Sequence, residues 1–213
     1  MTISVLVADD HPIVAEGLYR LVDSQSDMRV VAYVQDGQEA VRRAVEICPD
    51  VVLIDHAMPT LNGTEATRII RQRCPDTRVV MLSMYSDPVH IYRALQAGAM
   101  GYLVKKSVVK EMADAIRAVY AGRRYLSQSL ADSVMEHFLY SETTTNPLDL
   151  LSRRERQVLQ MLAEGRAVVD IATTLSLSPK TVETYRARMM AKLGIHDLAG
   201  LVKFAIQQGM IAL

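Results

Sequence analysis

The sequence predicts a doubly wound α/β domain, built on a five-stranded parallel sheet, followed by a small all-α domain. Five short apolar runs alternate with segments of helical period over the first 125 residues, which is typical of repeated βα units. These runs are apolar throughout, as expected for strands that a parallel sheet buries on both faces. Beyond residue 150 only segments of helical period remain. We therefore expect two domains of different class.

The elements of the first domain can be placed along the chain. The predicted strands are residues 3–8, 30–34, 51–54, 79–82 and 101–104. The first helix is expected to begin at Pro12, because a first-turn proline lacks only an N–H that would have no partner there. The other predicted helices are residues 38–47, 65–73, 89–97 and 110–121, the last of them stopped by Gly122.

Length and composition favour two small globular domains. The chain has 213 residues, of which 50% are apolar and 23% are charged. We expect a first domain at residues 1–125, a linker at 126–149 with an amphipathic helix at 127–139, and a second domain at 150–213. No apolar run reaches the roughly 18 residues of a membrane span, and no basic leader precedes the first strand. These features predict a cytoplasmic protein with no membrane partner.

The two cysteines lack the spacing of a metal site or of a disulfide framework. Cys48 and Cys74 each precede a proline at a predicted helix end. They are expected to be reduced thiols packed against their neighbours.

The second domain is predicted to consist of four short helices, at residues 153–164, 168–175, 179–193 and 198–208. Ser152 and Glu155 form a capping-box pattern, and Ser178 with Pro179 places a cap and a first-turn proline before the third helix. Residues 151–213 carry nine Lys/Arg against five Asp/Glu, whereas residues 1–125 carry fifteen of each. This asymmetry hints that a polyanionic partner binds the second domain alone.

Charged side chains follow three of the predicted strands. Asp9 and Asp10 end the first strand, Asp55 ends the third, and Lys105 follows the fifth. Because ligands of open α/β sheets collect at the carboxyl ends of the strands, we expect these groups to meet. Neighbouring carboxylates favour a cation, and their hard oxygen atoms suit Mg²⁺.

This arrangement suits phosphoryl transfer to a carboxylate. With Mg²⁺ bound, Asp55 can attack phosphorus while the metal and Lys105 offset charge on the oxygens of the transferring group. Ser83, at the end of the fourth strand, would supply a hydroxyl donor to the resulting acyl phosphate.

These residues resemble the receiver domain of bacterial two-component response regulators. The matching positions are Asp9-Asp10, Asp55 with Met58-Pro59 and Gly63, Ser83, and Tyr102 with Lys105. The resemblance implies a flavodoxin/CheY-like fold and phosphorylation of Asp55 by a sensor histidine kinase. It also implies that Asp10, Asp55 and the Ala57 carbonyl bind Mg²⁺, that Asp9 assists through water, and that Ser83 and Tyr102 form a switch pair.

Some positions depart from the receiver pattern or allow a second role. His56 stands where an apolar residue is common, and we interpret it as a packed or solvent-facing imidazole rather than a functional group. Lys106 stands where many receivers have a proline, so the usual cis peptide is not expected there. Asp10 can also act as the cap of the first helix, a role compatible with metal binding.

The second domain resembles the LuxR-type helix-turn-helix of the NarL/FixJ family. The matching segments are residues 151–159, 163–165, 171–178, 181–182 and 192–194. In its third helix, Val182 and Met189 are expected to face the core, which leaves a basic, hydroxyl-rich face for the DNA major groove. The residues predicted to contact DNA are Lys180, Thr181, Thr184, Tyr185, Arg188 and Lys192.

Two features of this domain leave alternatives open. The segment of residues 165–170 carries the apolar run Ala167-Val168-Val169 where the family usually has polar residues that cap a helix and touch phosphate. Either a DNA contact is missing, or Val168 and Val169 contact another protein. Glu183 either accepts from a cytosine amino group or orients Arg186.

The combined resemblance implies a transcription regulator that binds promoter DNA and forms a homodimer when phosphorylated, without separate substrate turnover. One alternative is a Mg²⁺-dependent phosphohydrolase. Such enzymes carry an acid/base aspartate two residues after the nucleophile, where this chain has Ala57. Another is a regulator that binds DNA independently of phosphorylation and uses its receiver for docking.

Overall fold

The computed structural model describes residues 2–130 and 147–211, and the chain divides into two compact units, Met1–Ser141 and Glu142–Leu213. The helix predicted at residues 127–139 falls mostly outside the described residues. Its beginning, Gln128–Leu130, is one turn of 3-10 helix, and Pro147–Leu150 forms another. The proposed domain limits near residues 125 and 150 stay predictions.

The first unit alternates strands and helices from its start. Its strands are β1 (Ile3–Ala8), β2 (Met28–Val34), β3 (Val51–Asp55), β4 (Arg78–Ser83), β5 (Gly101–Val104) and β6 (Tyr125–Leu126). Its helices are α1 (Pro12–Asp23), α2 (Gly37–Ile47), α3 (Gly63–Arg73), α4 (Pro88–Gln96) and α5 (Val108–Tyr120). Five of the strands and all five helices were predicted, mostly with ends that differ by one or two residues.

The strands form one sheet in the order β2-β1-β3-β4-β5-β6, and every pair is parallel. The predicted doubly wound parallel fold is therefore confirmed. The count of five strands was wrong, because Tyr125 and Leu126 add a sixth beside β5. A two-residue strand is too short to produce a periodic signal in the sequence.

Each face of the sheet is covered by its own group of helices. Residues of β1, β3 and β4 alternate between two cores, since successive side chains of a strand point to opposite faces. Leu6, Val52 and Met81 join the core under α2, α3 and α4. Val7, Leu53 and Leu82 join the core under α1 and α5, so the central strands are buried on both sides.

The helix starts follow from local chemistry. Asp36, Asn62 and Asp87 each cap a helix by accepting a hydrogen bond from a backbone N–H of its first turn. Helix α1 instead begins with Pro12 after His11, which makes no side-chain cap. Asp10 therefore does not cap α1, and this alternative was wrong.

Two glycines allow close backbone contact around the segment after β3. A Cβ atom on Gly63 would lie 2.0 Å from the carbonyl oxygen of Asp55, and one on Gly37 would lie 1.8 Å from that of Leu61. Real Cβ atoms do not approach oxygen so closely, so the starts of α3 and α2 can pack here only through glycine.

Gly63→Ala is expected to lower the free energy of unfolding by about 3 kcal/mol, because the backbone at Asp55 must move to accept the methyl group. Gly17→Ala is the matched control. Gly17 lies exposed within α1 with no atom within 4 Å of the new Cβ, so alanine should raise stability by about 0.5–1 kcal/mol. Urea unfolding of the full chain measures both changes, and equal effects would contradict the close contact at Gly63.

The second unit consists of helices α6 (Arg153–Ala163), α7 (Val168–Leu175), α8 (Pro179–Leu193) and α9 (Leu198–Gln207), which confirms the all-α prediction. They share a core that includes Val158, Ile171, Val182 and Leu201, each fully buried. The predicted capping box at the start of α6 is formed, and Ser178 caps α8 as expected. Across the described residues of both units, no helix is long and apolar enough to cross a membrane.

Candidate functional site

The sheet brings three carboxylates together at its carboxyl edge. Ala8 pairs with Ile54 in neighbouring strands β1 and β3, so Asp9 and Asp55 follow directly at adjacent strand ends. This is the point where the strand order reverses, the usual ligand site of such sheets. One potential ligand atom from each of Asp9, Asp10, His11 and Asp55 lies within 4.8 Å of the others. The predicted convergence is present, and His11 joins it unexpectedly.

Lys105 closes the site from the end of β5. Its Nζ lies 2.9 Å from Oδ2 of Asp9 and 3.1 Å from Oδ2 of Asp55. Burial opposes the charge of this amine, but the two carboxylates outweigh it, so the pKa of Lys105 lies above its ordinary value. A permanent cation thus contacts both Asp9 and Asp55.

Asp55 lies in an environment that resists its ionisation. Burial raises the pKa of its carboxyl from 3.8 to about 6, and although Lys105 counteracts this rise, the charge of Asp9 adds to it. The carboxylate is therefore ionised at neutral pH at a cost in stability. A second cation would relieve that cost.

Asp55→Asn is expected to stabilise the metal-free protein by about 2–3 kcal/mol at pH 7.5. The folded state takes up a proton on Asp55 near pH 6 and the unfolded state only near pH 3.8, so the contribution of Asp55 to stability rises as the pH falls between these values. The advantage of asparagine should therefore shrink toward pH 4. Urea unfolding in EDTA measures it, and a gain independent of pH would contradict the raised pKa.

The chemistry of the donors fits a hard divalent cation. Three carboxylates from two strand ends converge, with Asp9 fully buried and Asp55 nearly so. Oxygen ligands of this kind suit Mg²⁺, which needs only one or two carboxylates beside water and phosphate. The imidazole of His11 is mostly exposed, with Nδ1 2.9 Å from Oδ1 of Asp10 and 3.2 Å from Oδ1 of Asp9. Ala57, whose carbonyl was predicted to be a ligand, lies in the segment directly after Asp55.

Ser83 and Tyr102 are both fully buried beside this edge. The hydroxyl oxygen of Ser83 accepts a hydrogen bond from the backbone N–H of Tyr85, at 3.0 Å. The Tyr102 hydroxyl donates to the backbone carbonyl of Tyr85, at 2.9 Å, and burial raises the pKa of this phenol. Tyr85 therefore links the two predicted switch residues, a connection that sequence reasoning missed because it runs through backbone atoms.

His56 is buried and packs in a small ring cluster. Its ring centroid lies 5.8 Å from that of Tyr85 and 5.3 Å from that of His90, and the latter two rings stack at 4.8 Å. Burial lowers the pKa of His90. His56 was predicted to be either a packed or a solvent-facing imidazole, and the structure shows that it is packed.

In the second unit, α8 carries the predicted DNA-facing residues. Val182 and Met189 are fully buried against the other helices, as the periodicity predicted. Lys180, Thr184 and Arg188 are exposed, whereas Thr181 and Tyr185 are partly buried. The helix therefore presents a polar face with separated cations.

Lys192 has an intramolecular partner. Its Nζ lies 2.7 Å from Oε2 of Glu155, the carboxylate of the capping box. Burial opposes ionisation of Glu155, but Lys192 and Ser152 outweigh it and hold its pKa below the ordinary value. Lys192 thus ties α8 to the start of α6, a role that helical periodicity could not reveal.

Oε1 of Glu183 lies 3.7 Å from Nη1 of Arg186, which is about one turn further along α8. Of the two roles proposed for Glu183, this contact favours orientation of the arginine.

Helix α7 begins without a side-chain cap. Its N-cap residue is Ala167, which has extended backbone angles but no side-chain oxygen. Val168 packs partly against the core, while Val169 is 63% exposed. The apolar segment noted in the sequence therefore costs the helix a hydrogen bond and places a valine in solvent.

Ala167→Ser is expected to stabilise α7 by about 1 kcal/mol, since the new hydroxyl can accept from a first-turn N–H. Amide hydrogen exchange within Val168–Leu175 should slow about fivefold. Ser178→Ala removes the existing cap of α8 and should have the opposite effect on α8. Unchanged exchange in α7 would contradict the missing cap.

Comparisons with known proteins cover both units. Residues 5–117 match the family described as response regulator receiver domain, and residues 149–205 match bacterial regulatory proteins of the luxR family. The chain is 40% identical over 209 residues to the response regulator GacA of Pseudomonas syringae pv. syringae, with 98% of each chain covered.

Two solved structures extend the comparison. A LuxR-family two-component response regulator from Aurantimonas has 38% identity and a TM-score of 0.63, covering 65% of this chain and 99% of that one. The response regulator RcsB in complex with DNA has a TM-score of 0.60 and covers 97% of this chain and 98% of that one. Its identity of 24% supports the fold alone.

Proposed function

Because the chain belongs to the NarL/FixJ family of response regulators, with a receiver domain and a LuxR-type DNA-binding domain, we propose that phosphorylation of Asp55 controls its binding to promoter DNA. The observation that carries this proposal is the convergence of Asp9, Asp10, Asp55 and Lys105 at one edge of the sheet. A sensor histidine kinase is the proposed phosphoryl donor.

The transfer follows from the position of Asp55. One of its carboxylate oxygens attacks phosphorus, the new O–P bond forms as the P–N bond of the kinase phosphohistidine breaks, and the released imidazole nitrogen takes a proton. Lys105, already 3.1 Å from the carboxylate, offsets charge on the phosphoryl oxygens. Charge balance and positioning account for most catalysis of phosphoryl transfer.

Asp10, Asp55 and the Ala57 carbonyl are the proposed ligands of Mg²⁺, with Asp9 acting through water. When bound, the ion would neutralise negative charge on the transferring group. Ala57 supplies no carboxylate for acid/base chemistry, so we expect no turnover of separate phosphoester substrates.

Ser83 and Tyr102 are proposed to transmit the modification. A phosphoryl group on Asp55 offers acceptor oxygens to the Ser83 hydroxyl, which now accepts from Tyr85. Because Tyr102 also donates a hydrogen bond to Tyr85, a change at Ser83 is proposed to reach the face made by the last two βα units, β4-α4 and β5-α5. Such a switch depends on an equilibrium between two conformations of the receiver. Phosphorylation shifts this equilibrium only to the extent that the phosphoryl group stabilises one conformation more than the other.

The exposed face of α8 is the proposed DNA reader. Its proposed contacts are Lys180, Thr181, Thr184, Tyr185, Arg188 and Lys192, the last of which is also paired with Glu155. Short polar side chains and separated cations suit the major groove. The match of residues 149–205 to bacterial regulatory proteins of the luxR family supports this role, and we propose a homodimer when phosphorylated. The proposed location is the cytoplasm, where promoter DNA lies.

The proposal is tested with full-length protein and acetyl phosphate in Mg²⁺. DNA sites are first selected from a random library with the treated protein, and mobility shifts then compare treated and untreated protein. Treatment should raise the affinity at least several-fold. Equal affinities would contradict phosphorylation control and would favour the regulator that binds DNA constitutively.

A further inference from the structure

The two cysteines of the chain lie side by side at the end of the sheet opposite Asp55. Cys48 follows α2, before β3 begins, and Cys74 follows α3, before β4 begins. Their Sγ atoms are 3.6 Å apart although the residues are 26 positions apart in the sequence. No other cysteine is present in the chain. The thiol pair therefore lies at the other end of the sheet from the proposed phosphorylation site and takes no part in it.

The two thiols differ in access. Cys48 is exposed, and besides Cys74 its Sγ contacts the carbonyl oxygen of Val45 at a distance of 3.7 Å. Cys74 is buried, with its Sγ 3.5 Å from the carbonyl oxygen of Ala44, and burial raises the pKa of its thiol. An oxidant from solvent can thus reach Cys48, while Cys74 lies behind it within contact distance.

We propose that Cys48 and Cys74 form a redox modification site, in which hydrogen peroxide oxidises Cys48 and Cys74 resolves the product as an intramolecular disulfide. The Cys48 sulfur attacks one peroxide oxygen, the O–O bond breaks, and a sulfenic acid and water form. The Cys74 sulfur then attacks the sulfenic sulfur, the S–O bond breaks, and the departing hydroxide takes the Cys74 proton as water. Two thiols and one peroxide give one disulfide and two waters.

The geometry requires only a small movement. A disulfide needs an S–S distance of about 2.05 Å. Rotation of the Cys48 side chain, which is exposed, closes the gap from 3.6 Å. The disulfide would join the C-terminal ends of α2 and α3, whose first residues Gly37 and Gly63 pack around the segment after Asp55.

The site is tested on the reduced full-length protein with hydrogen peroxide. Free thiols should fall from two to none, the intact mass should drop by two hydrogen atoms, and proteolysis should release peptides joined through Cys48 and Cys74. Dithiothreitol should restore both thiols. Persistence of two thiols, or oxygen addition without a cross-link, would overturn the proposal.

Single serine variants separate pairing from ordinary thiol oxidation. Cys74→Ser should let Cys48 gain oxygen without losing hydrogen, and Cys48→Ser should leave Cys74 reacting at least tenfold more slowly than Cys48 in the wild type. Circular dichroism shows whether each variant is folded, and the wild-type cross-link is an independent readout if one is not. A disulfide between two chains in place of the internal one would also overturn the proposal.

Discussion

Asp55→Asn is expected to reduce phosphoryl incorporation from acetyl phosphate to background and to abolish the accompanying gain in DNA affinity. Asparagine keeps the shape of the side chain but removes the anionic oxygen that attacks phosphorus. The raised pKa of Asp55, about 6, implies that asparagine also relieves the cost of a buried charge. The variant should be at least as stable as the wild type in the absence of metal, so lost phosphorylation cannot be attributed to unfolding.

Asp36→Asn is the matched control for this experiment. Asp36 also follows a strand at the same edge of the sheet, but its side chain accepts from the backbone N–H of Glu39 as a helix cap, which asparagine can do as well. Phosphorylation should be unchanged. Substantial labelling of the Asp55→Asn variant would refute the assignment of the acceptor.

Arg188→Ala is expected to weaken binding to the selected DNA by about tenfold to a hundredfold. Arg188 is exposed on α8, whereas Val182 and Met189 of the same helix are buried in the core of the domain. Loss of a base contact should relax the sequence preference at one position. Loss of a phosphate contact should weaken binding to all DNA sites alike. It should also reduce by about one the slope of the logarithm of the binding constant against the logarithm of the salt concentration. Titrations at several salt concentrations distinguish these two results.

Lys203→Ala removes one positive charge from the same domain without touching α8. Lys203 is exposed on α9, so this variant controls for the general effect of net charge. Its affinity should stay within about threefold of the wild type, because a distant charge is largely screened. Equal losses in the two variants would contradict a specific role for α8.

The sequence was sufficient to predict that the charged side chains of the proposed phosphorylation site converge, because the residues stand at the ends of apolar runs. Parallel strands bring their carboxyl ends to one edge, so the order of Asp9, Asp55, Ser83 and Lys105 along the chain implied their proximity. The caps at Ser152 and Ser178 could be predicted for a similar reason, since a cap acts within one helical turn.

Contacts between distant segments could not be predicted in this way. The bond of Tyr102 to the Tyr85 carbonyl, the Lys192–Glu155 ion pair and the approach of Cys48 to Cys74 each depend on tertiary packing. The same limit applies to Lys192: its position on the helix predicts a contact with DNA, which stays a prediction, and could not reveal that its amine also contacts Glu155.

Chemical trapping of the acyl phosphate locates the modification directly. The full-length protein is treated with acetyl phosphate and Mg²⁺, reduced with borohydride, and digested for mass spectrometry. Reduction of an aspartyl phosphate yields homoserine at the modified position. We predict homoserine at position 55 alone, and homoserine at position 9 or 10, or at none of the three, would contradict the proposed role of Asp55.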